Sequence, residues 1–166
     1  MTFLHAYASP LGAITLASDG DSLTGLWFDG QKYDRSSLKN EQTEYRDLNV
    51  FDRAAEWLDI YFSGQKPDFT PPLRLTGSPF RRLVGEIMLG IPYGETVTYG
   101  WIARETAKRM GREHMSAQAV GGAVGHNPIS LIVPCHRVLG ADGSLTGYAG
   151  GIERKRWLLL LESTGR

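Results

Sequence analysis

A seven-residue stretch, Lys66-Pro67-Asp68-Phe69-Thr70-Pro71-Pro72, divides the chain into halves that follow different periodicities. Closely spaced prolines neither continue a helix nor sit inside a sheet, so each flank must form its own regular structure. Before the stretch, β-type runs at 2–8, 13–17 and 23–28 are separated by the turn-forming sets Pro10-Leu11-Gly12 and Asp19-Gly20-Asp21, a pattern that predicts a meander of two or three antiparallel strands. Polar residues 29–49 read as a loop, and 51–62 carries helical apolar spacing ended by Ser63-Gly64. After the stretch, Ser78-Pro79 caps and opens a helix through about residue 89, with Leu83, Val84, Ile87 and Met88 as its apolar stripe. Pro92-Tyr93-Gly94 turns the chain, Thr98 caps a second helix over 99–110, and a third runs from about Ser116 to just before Asn127-Pro128. The expected fold class is α+β: a small N-terminal antiparallel sheet with a helix (1–75), then a mainly helical C-terminal domain (76–166).

With 166 residues the chain can bury one ample core or two small ones. A single cysteine excludes an internal disulfide and a cysteine-rich zinc site, and the four histidines lack ligand spacing, so neither metal nor cofactor is expected. A reducing, cytoplasmic setting follows from the same cysteine count. The apolar runs fall short of the ~18 residues of a membrane span, and the start MTFLHAYASPLGAITLAS lacks the basic n-region of a secretory leader, so no membrane partner is expected. Residues 1–75 hold 7 Lys+Arg against 11 Asp+Glu, and residues 76–166 hold 11 against 7, so a net of −4 faces a net of +4. The second half is the better match for a polyanion.

The lone cysteine stands in Pro134-Cys135-His136-Arg137-Val138, at the end of an apolar run (129–133) that reads as a buried strand delivering a side chain to an edge. A thiol beside an imidazole is a nucleophile with its activator at hand, while a lone cysteine is also a common small core residue. Upstream, the helix Ala117-Gln118-Ala119-Val120-Gly121-Gly122-Ala123-Val124-Gly125 has almost no bulk, although each glycine costs about 1 kcal/mol against alanine. Either a neighbouring element packs unusually close, or the helix approaches an external backbone. The second and third helices, joined by Gly111-Arg112-Glu113-His114, form a candidate helix-turn-helix, and a bulk-free second helix in a basic half favours nucleic acid. Arg154-Lys155-Arg156 reads as a solvated helix face.

The ordered motifs IPYGETVTYGWIA, AVGGAVGHNPIS, VPCHRV and GSLTGYAGG resemble the O6-alkylguanine-DNA alkyltransferases from about residue 78 to 162. The resemblance implies direct reversal of DNA damage, in which an alkyl group on guanine O6, or on thymine O4, moves irreversibly to Cys135. His136 would act through a bridging water as the base, oriented by Glu162. Asn127 would be the hinge between the recognition helix and the active-site segment. Tyr99 would turn the nucleotide phosphate and donate toward the departing base. Tyr148, Val138, Ala149 and Ser130, the last at a position where some members carry proline, would line the guanine pocket. Ala117, Gln118, Ala119, Gly121 and Gly122 would enter the minor groove with Tyr99 and Gly100 beside them, and Arg81 and Arg112 would contact phosphates. The implied partner is double-stranded DNA containing O6-alkylguanine, bound by a monomer without cofactor.

The residue types suit that chemistry. Alkyl carbon on an aryl ether is a soft electrophile, and thiolate is the matching nucleophile, yet a free thiol of pKa about 8.5 is only a few per cent ionised at neutral pH. A carboxylate-oriented imidazole supplies the missing basicity. Gln118 departs from the arginine of many relatives, removing a cation from the position that fills the gap left by a flipped base, and Gly85 stands where relatives often carry tryptophan. Without the resemblance, Tyr99 and Tyr148 also read as buried tyrosines bonded to carbonyls, and Asn127 as an ordinary Asn-Pro turn. Two rival functions are a non-catalytic relative that binds alkylated DNA, whose type lacks the cysteine, and a Cys-His hydrolase, in which the glycine-rich helix has no role.

Overall fold

The computed structural model describes residues 1–34, 38, 41–145 and 147–164. Three strands, β1 (Thr2–Ser9), β2 (Gly12–Ser18) and β3 (Leu23–Phe28), form the expected antiparallel meander, with Leu4 opposite Ala17 and Leu16 opposite Leu26. Ile14, Leu16, Leu26 and Phe28 face the main core, while Leu4, Ala17 and Trp27 pack on the other side with Leu38. Because both faces are covered, the last five residues of β2 are all buried and read as an unbroken run.

A fourth strand, β4 (Thr43–Tyr45), pairs parallel with β1 and makes the order β3-β2-β1-β4. It falls where the sequence reads as a loop. All three of its residues are exposed, so it leaves no apolar signal and is held mainly by backbone hydrogen bonds, with Glu44 paired to Arg46 (3.0 Å). Within that loop reading, residues 35–37 and 39–40 lie outside the described residues.

Helix α1 (Asn49–Phe62) lays Phe51, Ala54, Leu58 and Tyr61 into the core at helical spacing. The proline-rich stretch that follows is no free tether. Its end runs along the outer edge of β3, where the Leu23 N–H donates to Pro72 O (2.7 Å) and the Arg74 N–H to Leu23 O (3.0 Å). The Arg53 guanidinium lies 3.9 Å from the Phe69 ring centroid and holds the middle of the stretch against α1.

The helical half follows the capping signals. Helix α2 (Pro79–Leu89) opens on Ser78, whose Oγ accepts from Arg81 N; α3 (Tyr99–Arg109) opens on Thr98, accepting from Trp101 N; and α4 (Ala117–Gly125) opens on Ser116, accepting from Ala119 N. Strands β5 (Val97–Thr98) and β6 (Val138–Leu139) pair in parallel, and α5 (Ile152–Thr164) closes the described chain. One continuous cluster of buried residues joins Phe28, Phe51 and Leu58 to Met88, Ile102, Val120, Val133 and Leu158, so the sheet and the helices share a core. The architecture is α+β.

Residues 129–133 are not a strand. Only Ile129 bridges to β3, opposite Leu26, and Leu131 turns back with φ +70°. The Asn127 side chain accepts from Ile129 N (3.1 Å) and donates to Val133 O (2.8 Å), which engages the backbone groups that a ladder would need. The run is apolar because it is buried, not because it is extended.

Leu58 is fully buried where α1 meets the shared core. Leu58→Ala is expected to cost about 2–5 kcal/mol of stability, read as a lowered urea midpoint.

Candidate active site

Pro134 ends the Asn127-held loop, and one turn of 3-10 helix, Cys135–Arg137, follows, with the Cys135 N–H donating to Val133 O (2.8 Å). Cys135 is 4% exposed. Burial pushes its thiol up, against hydrogen bonding by Asn127, the positive charge of Lys155 and hydrogen bonding by Ser130, all of which favour thiolate.

His136 is fully buried beside it, 2.5 Å from Glu162. Its Nε2–H donates to Glu162 Oε2, which leaves the lone pair on Nδ1, and among the described residues that Nδ1 has no hydrogen-bond partner. Burial holds the imidazole below its ordinary pKa despite the carboxylate, so it is neutral near pH 7. A neutral, oriented imidazole with a free lone pair is a base.

Glu162 is the hub. Arg137 binds it with two donors, Nε to Oε1 (2.8 Å) and Nη2 to Oε2 (3.1 Å), while Tyr61 Oη–H reaches Oε2 (2.7 Å) and Gly94 N–H reaches Oε1 (3.0 Å). Arg137 also donates through Nη1 to Ile91 O (2.7 Å). Although burial opposes its charge, these donors hold the carboxyl well below the usual carboxylate range, the His136 hydrogen bond first and then the hydrogen bonds and charge of Arg137.

The basic cluster on α5 is not a solvated face. Lys155 is completely buried and its Nζ donates to Val138 O (2.6 Å). Burial pulls its pKa down to about 8, and the nearby Cys135 sulfur works the other way. Half-buried Arg154 donates to Leu11 O and Gly150 O, tying the β1–β2 turn to the segment before α5. Only Arg156 sits in solvent, paired with Glu153. Lys155 shares a helical face with Leu158 and Glu162, and that spacing is the signal that separates it from its neighbours.

Around the sulfur the structure gathers Tyr99 and Tyr148, whose hydroxyls are pushed up by burial and by Cys135. The Tyr148 hydroxyl is buried without a partner among the described residues, so no carbonyl accounts for its burial. Tyr99 lies over Gly147, where a Cβ would stand 2.5 Å from its hydroxyl and φ is +86°, so that position needs glycine twice over. Val138 O is held by Lys155, Ala149 O accepts from Lys32 N–H (3.1 Å), and Ser130 is buried against Cys135.

On α4, Val120, Ala123 and Val124 face the core, whereas Ala117, Gln118 and Ala119 are exposed. A Cβ at Gly121 or Gly122 would meet nothing within 4 Å, so close packing by a neighbour does not explain the missing bulk. Gly100 lies in the first turn of α3, and Arg112 is exposed in the turn between α3 and α4. Arg81 stands apart from the glycine face, lining a cavity of about 490 Å³ between α2, Trp27 and Leu75, into which Gly85 also opens. Tyr61, Arg137 and Lys155 are site residues that the sequence reading missed. Among the described residues no group of three or more His, Cys, Asp or Glu could hold a metal, and no helix is long and apolar enough to cross a membrane.

Comparison with known families matches residues 3–75 to the ribonuclease-like domain, and residues 79–164 to the DNA-binding domain, of 6-O-methylguanine DNA methyltransferase. The chain belongs to this family. Proteins named methylated-DNA--protein-cysteine methyltransferase from Mycobacterium tuberculosis (46% identity, 94% of this chain, 89% of that one) and Haemophilus influenzae (41%, 94% and 83%) are similar along nearly their whole length. The M. tuberculosis OGT solved in complex with DNA has 43% identity and a TM-score of 0.82, covering 98% of this chain and 94% of that one.

Glu162→Gln leaves Arg137 buried without its counter-charge, and we expect a loss of about 3–5 kcal/mol at pH 7. Because the folded carboxyl lies below its unfolded value, its contribution is complete above the ordinary carboxylate range and fades as pH falls through and below that range. The wild type should therefore lose stability more steeply than Glu162→Gln between about pH 5 and pH 3, as urea midpoints would show. Lys155→Met should move the pH dependence of Cys135 alkylation upward and slow it at pH 7, because the thiolate loses the positive charge beside it.

Proposed function

We propose that this protein repairs alkylated duplex DNA by moving the alkyl group from guanine O6 to its own Cys135. The observation that carries the reading is the oriented neutral base: His136, held by Glu162 through Nε2, with its other nitrogen unpartnered next to the only cysteine.

His136 Nδ1 takes the thiol proton through a water, and Glu162 steadies the charge that arises on the ring, against the positive charge of Arg137. The Sγ lone pair attacks the alkyl carbon in line, the carbon–O6 bond breaks, and its electron pair leaves with the guanine. Tyr99 Oη–H donates a hydrogen bond to the departing base, and the proton now on His136 returns through water to neutralise it. The product is a thioether, and nothing in the reaction removes it, so each molecule acts once. The target base must leave the stack, at a cost of a few kcal/mol. Tyr148, Val138, Ala149 and Ser130 receive it, and thymine O4 offers the same chemistry.

The exposed, bulk-free face of α4 accounts for how DNA comes so near. Ala117, Ala119, Gly121 and Gly122 let the helix enter the minor groove, where contacts are nearly blind to sequence. Gln118 fills the gap left by the base, Tyr99 and Gly100 bear on the strand, and Arg81 and Arg112 meet phosphates. Asn127 joins α4 to the cysteine loop. A single copy contains every residue named.

Incubation with a duplex bearing O6-methylguanine should add one methyl to Cys135, located by intact mass and peptide mapping. Binding with the lesion left intact would point instead to a non-catalytic recognition protein, and repeated turnover to a hydrolase. Gln118→Ala is expected to slow repair of duplex by roughly tenfold or more while affecting free O6-benzylguanine far less, because only the duplex demands extrusion. Equal losses on both substrates would remove Gln118 from that role.

A further inference from the structure

We infer that the N-terminal domain supplies part of the DNA interface: Lys32 and Tyr33 grip the phosphodiester of the strand whose base has been extruded. A cavity of about 300 Å³ opens between the two halves of the molecule. One wall is the open glycine face of α4, at Gly121 and Gly122; a second is Gly147, Tyr148 and Ala149; the third is Lys32 with Tyr33. If a base is seated beside Tyr148 while the duplex lies on α4, its own phosphate crosses this opening. The inference rests on the alkyl-transfer reading for that placement.

Two features show that the segment is built for presentation. First, the turn after β3 is braced throughout: Gln31 Oε1 accepts from Phe28 N, Asp34 Oδ2 accepts from Gly30 N, and Asp34 N–H donates to Gln31 O. The Lys32 N–H then ties it to Ala149 O, so its position is locked to the pocket loop. Second, Tyr33 adopts φ +64°, a conformation disfavoured for a residue with a Cβ, and its ring stacks on His126 with centroids 3.8 Å apart. Even so, 43% of Tyr33 remains exposed at the opening.

Charge identifies the partner. Lys32 is exposed, makes no ion pair among the described residues, and has its Nζ 5.0 Å from the Tyr33 ring centroid. The acidic neighbours are engaged elsewhere, Asp29 by Thr15 and Asp34 by Gly30. No Asp or Glu among the described residues lines the cavity. A free ammonium on an acid-free rim, beside an aromatic hydroxyl, is suited to a phosphate oxygen and makes no demand on sequence.

The test is the salt dependence of binding to a duplex carrying one O6-methylguanine, in a Cys135→Ser background that preserves the lesion. Lys32→Ala should weaken binding roughly three- to tenfold near 100 mM salt and reduce the slope of log affinity against log salt by about 0.9, while Lys32→Arg retains both. Tyr33→Gly, which relieves the backbone, should weaken binding with the slope kept. With Cys135 restored, Lys32→Ala should slow repair of duplex more than reaction with free O6-benzylguanine. An unchanged slope, or equal slowing on both substrates, overturns the inference. A Lys32-dependent slope in a protein that never methylates Cys135 would overturn the alkyl-transfer reading instead and leave the contact standing.

Discussion

A buried carboxylate organises this molecule. Glu162 receives donors from α1 (Tyr61), from the segment before β5 (Gly94) and from the 3-10 turn (His136 and Arg137), and it sits on α5. An ionised carboxylate at 1% exposure survives only when its lone pairs are filled, so these four pieces of chain must arrive together. The same requirement fixes the chemistry. Glu162 selects the histidine tautomer, Arg137 keeps Glu162 charged, and the lone pair left on His136 is the one that can take a proton.

A second constraint is the outer edge of β3. It is capped in two places, by the end of the proline-rich stretch at Leu23 and by the start of the cysteine loop at Leu26. Covering this edge removes exposed ladder groups and at the same time sets the cysteine loop against the N-terminal sheet. Asn127 completes the job by holding that loop with its side chain. The N-terminal half is therefore a structural partner of the site. Tyr61, the Arg154 tie to Leu11 and the Lys32 tie to Ala149 all cross between the halves.

The thiol sits between opposed influences. Burial raises its pKa and protects it from adventitious reaction, while Asn127, Lys155 and Ser130 lower it. Lys155 is itself held at reduced basicity by burial, which the nearby sulfur opposes, and with a pKa of about 8 it stays charged near neutral pH. A protein that reacts once gains from such a balance, since a freely ionised cysteine would be spent on other electrophiles.

The capped helices were legible in the sequence because caps are local: Ser78, Thr98 and Ser116 announce their helices within three residues. So was the family, because the residues around Cys135 carry its pattern in order. Strand β4 was not, since three exposed residues pair mainly through backbone, and residues 129–133 were misread because an apolar run reports burial and not geometry. The tertiary structure alone decided that Tyr61 joins Glu162 and which histidine nitrogen is free. The physical reason is range: caps and turns depend on neighbours along the chain, whereas protonation and burial depend on groups that lie 101 or even 143 residues away and that only folding brings into contact.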